Sequence, residues 1–510
     1  PSASGQMLLE LGYRTVGGDF ITLEYSFIDL GPKRIERPEL ANWFSNESDN
    51  IHQEMYDLAT KGKALARTEE GLVVFVQGGV PGDIADVEVF KKRRNYAEGR
   101  VAQLTSPSPD RIDPVCEHFG VCGGCQWQYM DYQAQLRHKQ QEVTENLVRI
   151  GGVQPQETTP ILGSKNVFGY RNKMEYSFSN RRWLTQEEIQ GESTLERNAL
   201  GFHKPGMWDK VVDINRCHLQ AESANAIRNF VRDYSITHHL DFFDHKNKSG
   251  FLRTMMIRNT SVGQWMVVIQ FFKEDPPIRT ALLDALVEAF PQINSLHYVI
   301  NSKPNDSIYD QDIICYHGKP FIEEQMEDLV FRITPKAFYQ TNSEQAYELY
   351  KIVRKLAQLT GSERVYDLYT GLGTIAQFVA KDAAYVVGIE SVPEAIAAAK
   401  ENAARNQIQN TFFEVGDMKR VFNDDFVARH GQPDVIITDP PRDGMHKDVV
   451  KQLLKLSPKR IVYVSCNPAT QARDLAMMSK DYKLVEAQPV DMFPHTQHVE
   501  NVVLLERIHG

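Results

Sequence analysis

Beyond Tyr347 the chain alternates helix and strand patterns: YELYKIVRKLAQLT, RVYDLY, GTIAQFVAKDA, YVVGIE and VPEAIAAAKENAARN follow one another. Short apolar runs separated by helix-length amphipathic segments imply a parallel sheet covered by helices on both faces. Residues 326–510 are therefore expected to form an α/β, doubly wound, Rossmann-like domain. Further upstream, GLVVFVQGGVPGDIADVEVFKKRRNYAEGRVAQL alternates apolar and polar positions and breaks at Gly78, Gly79, Pro81 and Gly82. Short strands at this spacing predict a small β-barrel over residues 51–112. SPSPDRIDP reads as a linker. Residues 113–325 mix strands such as GQWMVVIQFF and LHYVIN with turns and helices, an α+β central domain. Residues 1–50 carry weak periodicity and no motif, an extension of unknown role.

With 510 residues the chain exceeds one core of usual size, and several domains are expected. No apolar run approaches the roughly 20 residues that span a bilayer, and no secretory leader pattern opens the sequence, so a cytoplasmic setting without membrane partners is expected. Net charge is −10, which disfavours indiscriminate binding to polyanions but leaves room for local basic faces. Two such clusters stand out. Lys91, Lys92, Arg93 and Arg94 form one; Arg171, Lys173, Arg181 and Arg182, interleaved with Phe168, Tyr170, Tyr176 and Phe178, form the other.

In the C-terminal region Asp367 ends a strand, Gly371 and Gly373 permit a tight turn with close ligand approach, and Glu390 ends the next strand. That spacing puts a carboxylate where it can accept hydrogen bonds from both ribose hydroxyls. The loop is neither a GxGxxG followed by the usual helix nor a GKS/GKT, so dinucleotide and phosphate-cradling readings lose ground. DxxxGxG with a downstream acid suits S-adenosylmethionine, which has ribose and adenine but no phosphate. Asp417, in FEVGDMKR, falls at the end of a third strand and can face the adenine.

Cys466, in YVSCNPAT, closes an apolar strand downstream of this loop and of a DPPRDG turn. A thiol beside a methyl donor reads as a nucleophile. Uracil C5 is too weakly nucleophilic to take a methyl group unaided, whereas thiolate attack at C6 converts the ring to an enolate reactive at C5. The C5 proton must then leave to a base, and Glu500, in HVENVVLLER, is the candidate at the start of the last strand.

Six cysteines in a reduced protein favour metal or catalytic chemistry over disulfides. Cys116, Cys122 and Cys125 share one loop as C-x5-C-G-G-C, and Cys217 in VVDINRCHL can complete a tetrahedral set. Four thiolates suit zinc or an iron–sulfur cluster, and spacing leaves both open. Cys315 matches no motif and is expected in the core.

These motifs together make residues 113–510 resemble the RNA uracil-C5-methyltransferases of the bacterial ribosomal and transfer RNA type, and the barrel ahead of them resembles a TRAM domain, an OB-like RNA-binding module. The resemblance implies that Gln340 in FYQTN, Tyr369 and Thr374 in the glycine loop, Glu390, Asp417 and Asp439 of DPPR surround S-adenosylmethionine. It implies Cys466 as nucleophile and Glu500 as proton-abstracting base. The loop reads LYTGLGT where the family pattern is closer to LFCGxGN, a departure at two positions. CEHFGVCGGCQWQ matches a family pattern whose cysteines, with a remote fourth, bind a [4Fe–4S] cluster, which implies that role for Cys116, Cys122, Cys125 and Cys217. The implied partner is structured RNA rather than DNA, with 23S ribosomal RNA favoured over transfer RNA. A target uridine must be extruded to reach a thiol, so the enzyme needs a surface that holds the neighbouring nucleotides. Phe168, Tyr170 and Arg171 are the candidates for that wall. Two rival readings need no nucleophile: a base-nitrogen or protein-amide methyltransferase, and an RNA-binding iron–sulfur sensor with a vestigial methyltransferase domain. The Cys466 and Glu500 pair argues against both.

Overall fold

Strands Asn50–Leu58, Ala64–Arg67, Val73–Gln77, Ile84–Lys92 and Tyr96–Ser106 close into a five-stranded barrel, because their alternating small apolar residues all turn inward. Met55, Ala64, Ala66, Val74, Val76, Ala85, Val87 and Ala97 fill its interior. The computed structural model describes residues 50–59, 62–191 and 195–508. The expectation for residues 1–50 falls, Asn50 apart, outside the described residues. The chain divides into two compact units, residues 1–111 and 112–510. The start of the expected linker is tied to the barrel unit: Ser108 donates its backbone N–H to buried Asp83 at 2.9 Å, and the Arg111 guanidinium chelates the same carboxylate. In the first basic cluster, Lys91 is paired with Glu98, which also holds Lys63 at 2.6 Å.

The second unit contains two large sheets. One has seven strands in the order Ile314–Gly318, Ile293–Ile300, Trp265–Phe271, Leu252–Asn259, Lys173–Ser179, Ala199–Lys204, Met207–Asp213. Its pairs are antiparallel except the one bridged by helix Pro276–Ala289. This is the expected α+β region. Cys315 lies on its edge strand, half-buried rather than in the core.

The other sheet has eight strands, ordered Thr411–Val415, Tyr385–Glu390, Arg364–Leu368, Val435–Thr438, Arg460–Ser465, Glu500–Arg507, Tyr482–Val490, Glu157–Thr158. The first five are parallel. Most of these strands are buried on both faces and accordingly read as near-continuous Val/Ile runs. Strand Glu500–Arg507 runs antiparallel to its neighbours. Two early pieces of chain also join this sheet. Glu157–Thr158 pairs with the edge strand, and helix Tyr132–Arg149 packs on helix Pro468–Met478. Among the described residues no helix is long and apolar enough to cross a membrane.

Candidate active site

Parallel strands deliver their carboxyl ends to one edge, and there the sheet collects Asp367, Glu390, Asp417, Asp439 and Cys466. The last strand, entering the other way, begins at that edge. Ser465 pairs with Asn501, so the antiparallel register sets Cys466 against Glu500, and residues directly opposed share a face.

The glycine loop is shaped by left-handed backbone at Tyr369 (φ 66°), Gly371 (φ 54°) and Gly373 (φ 71°). Glycine is required at 373, where a Cβ would lie 2.7 Å from the Phe413 ring. Tyr369 accepts the same backbone without being glycine, a strain of about 1–3 kcal/mol of the kind concentrated at ligand sites. Buried Asp367 anchors the loop, accepting from the Thr370 hydroxyl and from the Ala376 N–H at 3.1 Å. Glu390 accepts the Gly371 N–H at 3.2 Å through one oxygen, while the other takes N–H groups of Ser391 and Val392 at 2.6 and 3.1 Å. Thr374 begins helix Thr374–Ala380, and Asp417 caps the short helix Met418–Val421 through the Lys419 N–H. Tyr369, Ser391, Asp417 and Pro441 line a cavity of about 620 Å³, whose outer rim carries Lys419, Lys447 and Arg473.

Gln340 reaches the same edge from the segment before helix Ser343–Ala357, its side chain bonded to the Tyr350 hydroxyl. The central sheet holds that segment in place. Asn172 donates to the Gln340 carbonyl at 3.0 Å, and fully buried Arg258 donates to the carbonyls of Ala337 and Tyr339 at 2.9 and 3.0 Å.

Around the thiol the electrostatics are acidic. Burial raises Asp439 to about 7; it raises Asp367 to about 7 and Glu500 to about 8, each pushed further by Asp439. Burial, with the charges of Glu500 and Asp439, pushes the Cys466 thiol up to about 12. Arg442 opposes this with a hydrogen bond to the thiol. Its backbone carbonyl accepts from Asn467 at 3.1 Å and from Thr470 at 3.0 Å, tying the DPPR turn to the SCNP turn. Asp474, buried behind them, accepts from the Met445 N–H and the Tyr463 hydroxyl, both at 2.8 Å. Tyr350, Arg442 and Asp474 were not singled out from the sequence. Arg442 was legible, lying within DPPR; Tyr350 and Asp474 look like ordinary helix positions.

These carboxyls bind protons more tightly in the folded than in the unfolded chain. The stability this gives is complete below about pH 4 and is lost as pH rises through about 7–8. Glu500→Gln, which cannot ionise, is expected to flatten the decline in melting temperature between about pH 5 and about pH 8. Scanning calorimetry against wild type checks this; parallel slopes would show that Glu500 is already ionised in the folded protein.

A second cavity, of about 390 Å³, brings together Cys116, Cys122, Cys125 and Cys217 and extends to Arg171 and Arg442. Burial raises all four thiols, Cys125 to about 12. Cys116, Cys122 and Cys125 are raised further by neighbouring cysteines in the set. Among the described residues no three side chains of His, Cys, Asp or Glu form a group that could hold a metal ion. Of the three residues expected to face RNA, only Arg171 lines this cavity. Tyr170 is buried and donates its hydroxyl to the Pro494 carbonyl at 3.0 Å, while Phe168 stacks on His495 at 4.4 Å. The surrounding basic cluster is largely neutralised: Lys173 pairs with Glu175, Arg181 with Asp244, Arg182 with Glu188.

A doubly wound sheet whose switch edge gathers ribose-spaced acids and a glycine loop defines an S-adenosylmethionine-dependent methyltransferase. Residues 292–508 match the tRNA (Uracil-5-)-methyltransferase family, and residues 56–102 match the TRAM domain. An uncharacterized RNA methyltransferase of Porphyromonas gingivalis is 56% identical over 462 residues, 89% of this chain and 99% of that protein. One from Bacteroides thetaiotaomicron is 52% identical over 453 residues, 88% of this chain and all of that one. The crystal structure of Pyrococcus abyssi tRNA (uracil-54, C5)-methyltransferase with S-adenosyl-L-homocysteine superposes with a TM-score of 0.69 at 29% identity, covering 89% of this chain and 100% of that one. The chain belongs to the RNA uracil-5-methyltransferase family and carries its TRAM domain.

Proposed function

We propose that the protein methylates C5 of a specific uridine in structured RNA through a covalent adduct between Cys466 and uracil C6. The observation that carries this reading is the register that opposes Cys466 to Glu500 beside Asp439 and Arg442. S-Adenosylmethionine supplies an electrophilic methyl on a sulfonium. Glu390 and Asp417 hold its ribose and adenine, with Gln340, Tyr369, Thr374 and Asp439 completing the pocket. An acidic pocket suits a cationic donor, whose charge in turn favours ionised Asp439 and Glu500. The Cys466 sulfur bonds to C6 and the C5=C6 electron pair moves into the enolate. C5 then takes the methyl, leaving S-adenosylhomocysteine. Glu500 removes the C5 proton, the C6–S bond breaks, and the ring double bond returns with the thiolate. Arg442 stabilises the thiolate at the start and end of this cycle.

Glu500→Gln is expected to stall after methyl transfer and to accumulate a protein–RNA adduct that survives denaturation. Gel analysis checks this, and a clean absence of adduct would assign proton removal to another group.

Within this reading the barrel, residues 51–112, grips RNA, residues 113–325 carry a [4Fe–4S] cluster, and residues 326–510 perform the chemistry in the cytoplasm. Four thiols that line one cavity supply the all-sulfur donor set that an iron–sulfur cluster takes. Cys116, Cys122, Cys125 and Cys217 would hold it, and its part is to order the loop rather than to move electrons. Protein purified without oxygen is expected to be brown and to contain iron and sulfide; a colourless zinc protein would overturn the assignment. The substrate is 23S ribosomal RNA. The P. abyssi neighbour acts on transfer RNA, which supports that RNA as the second reading. Mapping 5-methyluridine in both RNAs from cells lacking the protein separates them.

A further inference from the structure

The hairpin of strands Ala199–Lys204 and Met207–Asp213 turns at Pro205 and Gly206, and that turn rests on the cysteine loop. A Cβ on Gly123 would lie 2.3 Å from Pro205, while Cys122 and Gly124 on either side line the cavity that reaches Arg442. Just past the turn Trp208 is 63% exposed and Met207 47%, although Val211 and Val212 farther along the strand are buried. The Lys248 ammonium stands 5.9 Å from the centre of the Trp208 ring. Lys204 pairs across the hairpin with Met207, Lys210 follows Trp208 two residues on, and Lys246 flanks Lys248. None of these four lysines has a carboxylate partner among the described residues, in contrast to Arg181 and Arg182 nearby.

We infer that Trp208 is a stacking platform for an unpaired base of the RNA that flanks the target uridine, with Lys204, Lys210, Lys246 and Lys248 taking its phosphates. The inference rests on the RNA-methylation reading above. Every base offers a π-face to an indole, and lysines without carboxylate partners beside it complement the phosphates of a polyanion. The strand would leave the cavity over the cysteine loop and meet the hairpin turn next.

Full-length Trp208→Ala is expected to bind fluorescein-labelled oligouridine about tenfold more weakly, with Trp208→Phe retaining most of the affinity. On RNA extracted from cells lacking the enzyme, KM should rise by about the same factor while kcat stays unchanged. K246E/K248E should lower the slope of log affinity against log salt by about two. S-Adenosylmethionine binding is unchanged in all three. Trp208→Ala binding RNA like wild type, or an unaltered salt slope in the lysine variant, overturns the inference and leaves the hairpin to a protein partner. If wild type methylates no RNA yet Trp208→Ala still loses oligouridine, the catalytic reading fails and the platform stands.

Discussion

Cys466→Ala is expected to release no tritium from RNA labelled at uridine C5 while still binding S-adenosylmethionine. Removing a covalent nucleophile acts on the order of 10⁴-fold or more, because the remaining groups cannot make C5 reactive. The geometry explains why binding survives. In the proposed reading the donor lies against Glu390 and the glycine loop that Asp367 anchors, and among the described residues no hydrogen bond joins Cys466 to Asp367, Glu390 or that loop. Burial and the Glu500 and Asp439 charges push the resting thiol up to about 12, so in the proposed mechanism its activation depends on charge arriving with the ligands and on Arg442. Arg442→Ala is therefore expected to slow adduct formation without abolishing it, read by trapping the adduct in a Glu500→Gln background. Normal tritium release from Cys466→Ala would remove the covalent mechanism and revive the nucleophile-free readings.

The second large effect lies away from the chemistry. Lys139, on helix Tyr132–Arg149, donates to Asp491 at 2.6 Å, and neither side chain has any exposed surface. Burial alone favours the neutral amine, and Asp491 favours the charged one. The same Asp491 oxygen accepts the Phe493 N–H at 3.0 Å, and Lys139 also donates to the Phe493 carbonyl at 3.2 Å. Lys139→Ala leaves a buried carboxylate without its partner and is expected to cost about 3–5 kcal/mol in denaturant unfolding. Lys139→Met with Asp491→Leu should recover most of that loss, because a well-packed apolar pair avoids the desolvation of two charges. A double variant as unstable as the single would show that the segment after Asp491 needs those hydrogen bonds in their own right. That segment matters to the site, since Phe493, Thr496 and His498 line the cysteine cavity just before Glu500.

Much of this molecule was legible in its sequence where burial is two-sided. YVVGIE, VIIT and RIVYVS are strands with no polar face, and the acid or thiol that ends or follows each marks the carboxyl edge of the sheet. The barrel was legible for the opposite reason, strict alternation around a single interior. Glu157–Thr158 was not, because a two-residue strand has no period and takes its place only from the edge it meets. Charge runs misled as well. Arg181 and Arg182 read as a local basic face in sequence, but Asp244, far along the chain, and Glu188, only a short way on, pair with them, while the lysines without carboxylate partners sit singly around Trp208. The cysteine spacing was clear, whereas Tyr170 beside it was hidden by a backbone acceptor, the Pro494 carbonyl, that no pattern announces.

Lys139 and Asp491 stand 352 residues apart in the chain. Closing so long a loop costs about 5 kcal/mol in chain entropy. At translation rates near 5–20 residues per second, the helix leaves the ribosome roughly 18–70 s before its partner exists. During that interval Val143 and Leu147, buried in the finished fold, have no surface to cover them. The nascent chain therefore carries an uncovered apolar helix face until its last elements emerge, and a truncation that removes helix Pro468–Met478 and strand Tyr482–Val490 leaves the earliest helix of the second unit without its cover.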